Sequence, residues 1–223
     1  MKYTIDSKKV KALLFDWDGT LVDTEALQHA ANVRFFNELK INYVSLEEQV
    51  YLYGGQGFKP IYEKLLGPIT DEELDKIKTV RRTYFIELLN KHGIEEVTGV
   101  LKLIKNAHKM KIKLAIVTGA SKKSFAEAVS RSKVPIRLFE AVVNREDYLD
   151  GKPHPQPFLI GASKLGVDPK ECVVFENAPN GIRSAIAAGM DFVALTTNLP
   201  EERFKEIDPN AKTIKDFTEV KIV

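Results

Sequence analysis

Short apolar runs that stop at polar residues alternate along this chain with stretches of helical period. Ala12 to Phe15 is the first run: four apolar residues, too short for a helix and closed by Gly19, which reads as a strand buried on both faces. Leu114 to Val117 is a second, ending in Thr118-Gly119-Ala120-Ser121, and Cys172 to Phe175 a third, ending in Glu176-Asn177. Helical patterns follow: Lys122 to about Arg131 with Ser121 as N-cap, and a small-residue segment from Ala178 to Met190. Another helix is predicted from Gln156 or Pro157 to Leu165, after prolines at 153 and 155 that keep Lys152 in an extended or turning segment. Strands alternating with helices predict an α/β fold around a parallel sheet.

One long interruption breaks the alternation. Between the first and second strands lie about ninety residues with helical period and little strand character. Helices are predicted over Thr24–Leu39, Ser45–Leu52, Gly57–Leu66 and Asp71–Asn90. In the first, Ala26, Ala30, Val33, Phe36 and Leu39 form the expected apolar stripe; in the second, Ser45 and Glu48 have capping-box spacing. The turn from Gly54 to Lys59 lies between two of these helices. It is either a substrate-selecting loop, through Gly55, Gln56 and Lys59, or a plain interhelix turn. Arg81 and Arg82 either bind an anionic substrate or, as their place on the long fourth helix favours, form a solvated face.

The residues that stop the strands carry the candidate chemistry. Asp16 and Asp18 sit at the carboxyl edge of the first strand, where open α/β sheets bind ligands. Two carboxylates there repel unless a cation or a shared proton compensates, and Mg²⁺ favours oxygen ligands of this kind. The Thr118 hydroxyl, with the amides of Gly119 and Ala120, offers bonds to a phosphate. A lysine at position 152 fixed near Asp16 would offset phosphoryl charge and keep the carboxylate ionised, although alone it reads as a solvated loop residue. In a parallel sheet the strand ends share one edge, so Asp16, Thr118, Lys152 and Glu176 converge despite their separation.

The run from Asp16 through Asp18, Gly19 and Thr20 to Glu25 resembles the nucleophile motif of the haloacid dehalogenase-like superfamily. Thr118, the Lys152-Pro153-His154-Pro155 segment and Glu176-Asn177 match its other three motifs in order, and the likeness extends from about Val10 to Thr196. It implies a Rossmann-like parallel sheet core, residues 1–20 and 93–223, with an inserted four-helix cap domain, residues 21–92. It also implies a covalent mechanism. Asp16 attacks phosphorus and forms an aspartyl-phosphate, Asp18 serves as acid and then base, and Lys152 and Thr118 hold phosphoryl oxygens. The implied Mg ligands are Asp16, the Asp18 main-chain carbonyl and Glu176. Asn177 departs from the pattern, an amide replacing a carboxylate, so it either ligates the metal or only orients Glu176 and water. Gln156 departs too, from an acidic residue.

Asp18 argues against dehalogenation, since dehalogenase members lack this second aspartate, so the resemblance reads as a phosphatase on a small phosphorylated metabolite. A rival is a mutase like β-phosphoglucomutase. Such mutases, and many sugar phosphatases, carry His at the cap position that is Gln28 here, and His29 lies on a different helix face, which favours hydrolysis. A rival of another class is a catalytically idle binding relative, motivated by Asn177. The formal charge of +2 gives no sign of nucleic acid, and the lysines at 102, 105, 109, 111 and 113 read as a solvated helix face. Cys172 stands alone and mid-strand, an inert core residue. No stretch reads as a signal peptide or a bilayer span, so a cytoplasmic enzyme is expected, with a monomer favoured and no membrane partner.

Overall fold

The computed structural model describes residues 2–55 and 58–223. In chain order the elements are β1 (Tyr3–Ile5), β2 (Ala12–Phe15), α1 (Glu25–Glu38), α2 (Leu46–Glu48), α3 (Lys59–Leu66), α4 (Asp71–His92), α5 (Val100–Lys109), β3 (Lys113–Val117) and α6 (Lys122–Val129). Then follow β4 (Ala141–Val143), α7 (Gln156–Leu165), β5 (Cys172–Glu176), α8 (Pro179–Ala187), β6 (Asp191–Leu195), α9 (Glu201–Lys205), β7 (Thr213–Ile214) and β8 (Val220–Ile222). The α2 helix runs on as a π-helical turn, Gln49–Tyr53. No helix among the described residues is long and apolar enough to cross a membrane.

Six strands form one parallel sheet in the order β4-β3-β2-β5-β6-β7, and β1 pairs with β8 apart from it. The chain winds outward from β2 to one edge, then crosses back and winds from β5 to the other. That is the doubly wound order of Rossmann-like folds, with its switch point between β2 and β5. The alternation within β2 sorts the two faces. Leu13 and Phe15 join Ile104, Leu103 and Phe125 under α5 and α6; Ala12 and Leu14 join Phe158, Ala162 and Ala185 under α7 and α8. Phe15 and Phe175, register partners across the switch point, stack at 5.1 Å. Burial on both faces explains why β2 is apolar at every position.

Between β2 and α5 the described residues form helices, as the periodicity predicts. Ser45 and Ser121 are N-caps, each accepting a hydrogen bond from the amide three residues on. Thr70 and Glu73 close a full capping box on α4. Of the apolar stripe predicted for α1 only Phe36 is buried. Ala31, Asn32, Phe35 and Phe36 are the buried positions beyond its first turn, while Leu39 is exposed. The reason is tertiary: Ala31 packs on Phe85 and Leu89 of α4, and Asn32 anchors a polar cluster that no hydrophobic count detects. The third predicted helix begins at Lys59, after Phe58 as its N-cap; Gly57, its predicted start, lies outside the described residues.

Candidate active site

Asp16 leaves the end of β2 with its amide bonded to the Phe175 carbonyl of β5 at 3.0 Å, so backbone pairing carries it to the switch point. There the fully buried Lys152 meets it. The ammonium donates to Asp16 Oδ1 at 2.6 Å, Glu176 Oε1 at 2.8 Å and the Val117 carbonyl at 3.1 Å. Its three donors are all used. Burial works against the lysine's charge, but Asp16 and Glu176 outweigh it and hold its pKa above the ordinary value. Burial also pushes Asp16 up, to about 7; Lys152 pulls down against that, and Glu176 and Asp18 push further up.

Glu176, the last residue of β5, takes a second bond from the Ala178 amide to Oε2 at 2.7 Å. Gly181 makes room for it, because a Cβ there would lie 1.8 Å from Glu176 Oε1. Asp18, half-buried, accepts on Oδ1 from the Thr24 hydroxyl and from Gln28 Nε2, the latter at 3.1 Å. Gln28 is oriented in turn by Arg81, which donates to its Oε1. The Arg81 guanidinium also bonds Asn32 Oδ1 at 2.9 Å and lies over the Phe58 ring. The solvated reading of Arg81 is therefore corrected: α4 packs that face inward against α1 and α3.

At the end of β3, Thr118 Oγ1 accepts the Ala120 amide at 3.0 Å. Ala120 is thus engaged within its own turn rather than free for a ligand. That bond leaves the hydroxyl proton of Thr118 to donate outward, and the Gly119 amide takes no acceptor among the described residues. Asn177, also buried, accepts from Thr20 Oγ1 at 3.1 Å and donates to Asn198 Oδ1 at 3.2 Å. Gly55 lies against Lys152. Lys59 does not join the site: it pairs with Asp71 at 3.2 Å on the surface between α3 and α4. Gln56 lies outside the described residues. Trp17, between the two aspartates, turns into the core and packs edge-on against Phe125.

Glu25 was missed. Its position at the end of the Asp16–Glu25 run and at the first residue of α1 reads as an ordinary helix-terminal acid. The fold instead buries it to 8% exposure. Burial first, then Asp18, Asp16 and Glu176, push its pKa up to about 8, while a bond from Asn177 works the other way.

Asp16, Asp18, Glu25 and Glu176 thus share one edge with one lysine. Among the described residues no three acidic, His or Cys side chains converge into a closed cage. Mg²⁺ commonly takes one or two carboxylates and completes its shell with water and phosphate oxygens. An oxygen-only donor set with surplus negative charge fits such an ion. Asp16, the Asp18 main-chain carbonyl and Glu176, with Asn177 beside them, are the donors available.

The haloacid dehalogenase-like hydrolase family matches residues 13–195 of this sequence. The chain belongs to that family. It is 32% identical over 216 residues to hexitol phosphatase A of Escherichia coli (strain K12), covering 96% of this chain and 95% of that protein. It is 30% identical to fructose-1-phosphate phosphatase YqaB of Escherichia coli (strain K12), covering 83% and 96%. The crystal structure of a haloacid dehalogenase-type hydrolase, family IA, variant 3, from Entamoeba histolytica superposes with a TM-score of 0.83 at 24% identity, covering 94% and 95%. That likeness speaks for the haloacid dehalogenase-like fold alone.

Proposed function

We propose that this chain is a Mg²⁺-dependent phosphatase acting on a small phosphorylated metabolite, a sugar or polyol phosphate, through an aspartyl-phosphate. The observation that carries the reading is the buried Lys152 ammonium shared by Asp16 and Glu176 at the switch point. The two curated relatives, both phosphatases by name, support the substrate class.

Asp16 Oδ1 is held by Lys152, and Oδ2 takes no hydrogen bond from the described residues, which leaves it to attack phosphorus. The Thr118 hydroxyl and the Gly119 amide hold the phosphoryl oxygens, and the Lys152 ammonium balances their charge from beside Asp16. Asp18 is the proton carrier. Its Oδ1 is fixed by Thr24 and Gln28, so Oδ2 is left to protonate the leaving oxygen and then to deprotonate the water that cleaves the acyl-phosphate. When bound, Mg²⁺ supplies positive charge that neutralises the phosphoryl oxygens and the carboxylates around them. The helical segment 21–92 acts as a cap that makes the site drier.

Asp16→Asn tests the reading. The amide keeps the volume and the Phe175 backbone bond but cannot attack. Phosphate release from a panel of sugar and polyol phosphates with Mg²⁺ should fall at least about a hundredfold, with the melting temperature retained. Turnover above that level, with deamidation excluded, removes Asp16 as nucleophile. Dependence on a bisphosphorylated activator, with negligible free phosphate, would make the chain a mutase.

A further inference from the structure

The Gly54–Gly55 turn ends the π-helical segment after α2 and lies on the catalytic edge. Gly55 has φ +82°, and a Cβ there would stand 3.1 Å from Lys152 Cδ and 3.6 Å from the Gly181 amide. The Gly55 carbonyl oxygen would lie 3.3 Å from a Cβ on Gly119. One turn of the helical segment therefore covers both the lysine and the Thr118–Gly119 corner. Beneath it the Lys152 side chain is 0% exposed and that of Asp16 9%.

The polar grip on the turn comes from Asn180, the second residue of α8. Its Nδ2 donates to the main-chain carbonyls of Leu52 and Gly54, both at 3.1 Å. The side chain is nearly buried. Around it, Val50 sinks among Ala178, Ile182, Leu199 and Phe204. Further out, Tyr51 donates to Glu206 at 2.7 Å and Arg203 pairs with Glu47 at 3.1 Å. An amide nitrogen suits the place because its two protons meet two acceptors at once, whereas a carboxylate would repel both.

We infer that Asn180 is the latch of the Gly54–Gly55 turn, a positioning residue that sets how fully the turn closes over Lys152 and the phosphoryl site. It touches no reacting atom; it acts through the turn. The inference rests on reading the strand edge as the phosphoryl site, because only then does closure of the turn matter to turnover.

The test compares Asn180→Ala and Asn180→Asp with wild type by hydrogen exchange of the full chain without substrate. Loss of two neutral bonds shifts the closing equilibrium about tenfold. Amides of residues 46–55 should exchange faster by about that factor, while β2, β3 and β5 keep their protection. With p-nitrophenyl phosphate, kcat/KM should fall by a similar factor at unchanged half-saturating Mg²⁺. Asn180→Ser replaces either variant that does not fold. Unchanged exchange over 46–55, or acceleration spread evenly through the core, overturns the latch. Localised acceleration in a chain whose wild type hydrolyses no phosphate ester keeps the latch and discards the phosphatase reading instead.

Discussion

The side-chain oxygen of Asn177 accepts from the Thr20 hydroxyl, and its amide nitrogen donates to Asn198 Oδ1 beside the buried Glu25. A carboxylate in its place would lose that donation and set another acid next to Glu25. Asn177→Asp should therefore lower the melting temperature of the metal-free protein. The same charge beside a dication is worth roughly 1–4 kcal/mol before desolvation, so Mg²⁺ affinity should rise about threefold to a hundredfold. A Mg²⁺ titration of both melting temperature and activity checks the two halves. If the half-saturating concentration does not move, position 177 stands outside the field of the ion. Lys152 teaches the complementary point at this scale. Its neighbours in sequence, three prolines within five positions, fit a loop, and only the packing of α7 under the sheet turns that loop inward onto the Val117 carbonyl.

At the scale of elements, the N-terminus of α8 is built around Gly181. Helix propensity alone favours alanine over glycine by about 1 kcal/mol, so Gly181→Ala is expected to stabilise if nothing touches the new methyl. A Cβ 1.8 Å from Glu176 Oε1 reverses that expectation. The carboxylate must move, and it cannot do so without loosening Lys152 or the Ala178 amide. The substitution should cost about 1–3 kcal/mol in urea unfolding and weaken Mg²⁺-dependent turnover at least tenfold. Stabilisation with full activity would mean Glu176 has a second resting place. The α1 helix shows the converse. Its predicted stripe holds only at Phe36, because the buried face is rotated onto Asn32, held by Tyr62, Arg81 and Gln49, and a polar contact adds nothing to a hydrophobic count.

Across the whole molecule, the surplus of carboxylates at the sheet edge makes stability depend on pH. Glu25 rises from its ordinary 4.5 to about 8 and Asp16 from 3.8 to about 7. Between about pH 4 and pH 8 the folded chain therefore holds more protons than the unfolded chain, and stability falls as pH rises through that window. Metal-free protein should melt on the order of 5 °C higher at about pH 5.5 than at about pH 8. Saturating Mg²⁺ should shrink the difference, because the cation favours the ionised carboxylates. Melting curves at the two pH values, with and without Mg²⁺, decide it. A profile flat without metal would mean that Lys152 alone balances the edge.

The sequence by itself determined the parallel α/β class, the three strands that end in Asp16, Thr118 and Glu176, and the caps at Ser45 and Ser121. All of these rest on interactions within a few residues: a run of apolar side chains long enough for a strand, a hydroxyl three residues from an amide, a proline that forbids a helix. Tertiary structure alone decided the rest. It sank Lys152 between two carboxylates that lie 136 and 24 residues away from it in the chain. It drew Arg81 off the surface, buried Glu25, and spent the Ala120 amide on Thr118. It sent Lys59 to a surface pair and set Asn180 under the turn. Each of these outcomes depends on which groups are left to compensate a charge or a donor once the sheet has closed. That depends on distances between segments far apart in the chain, which no local pattern encodes.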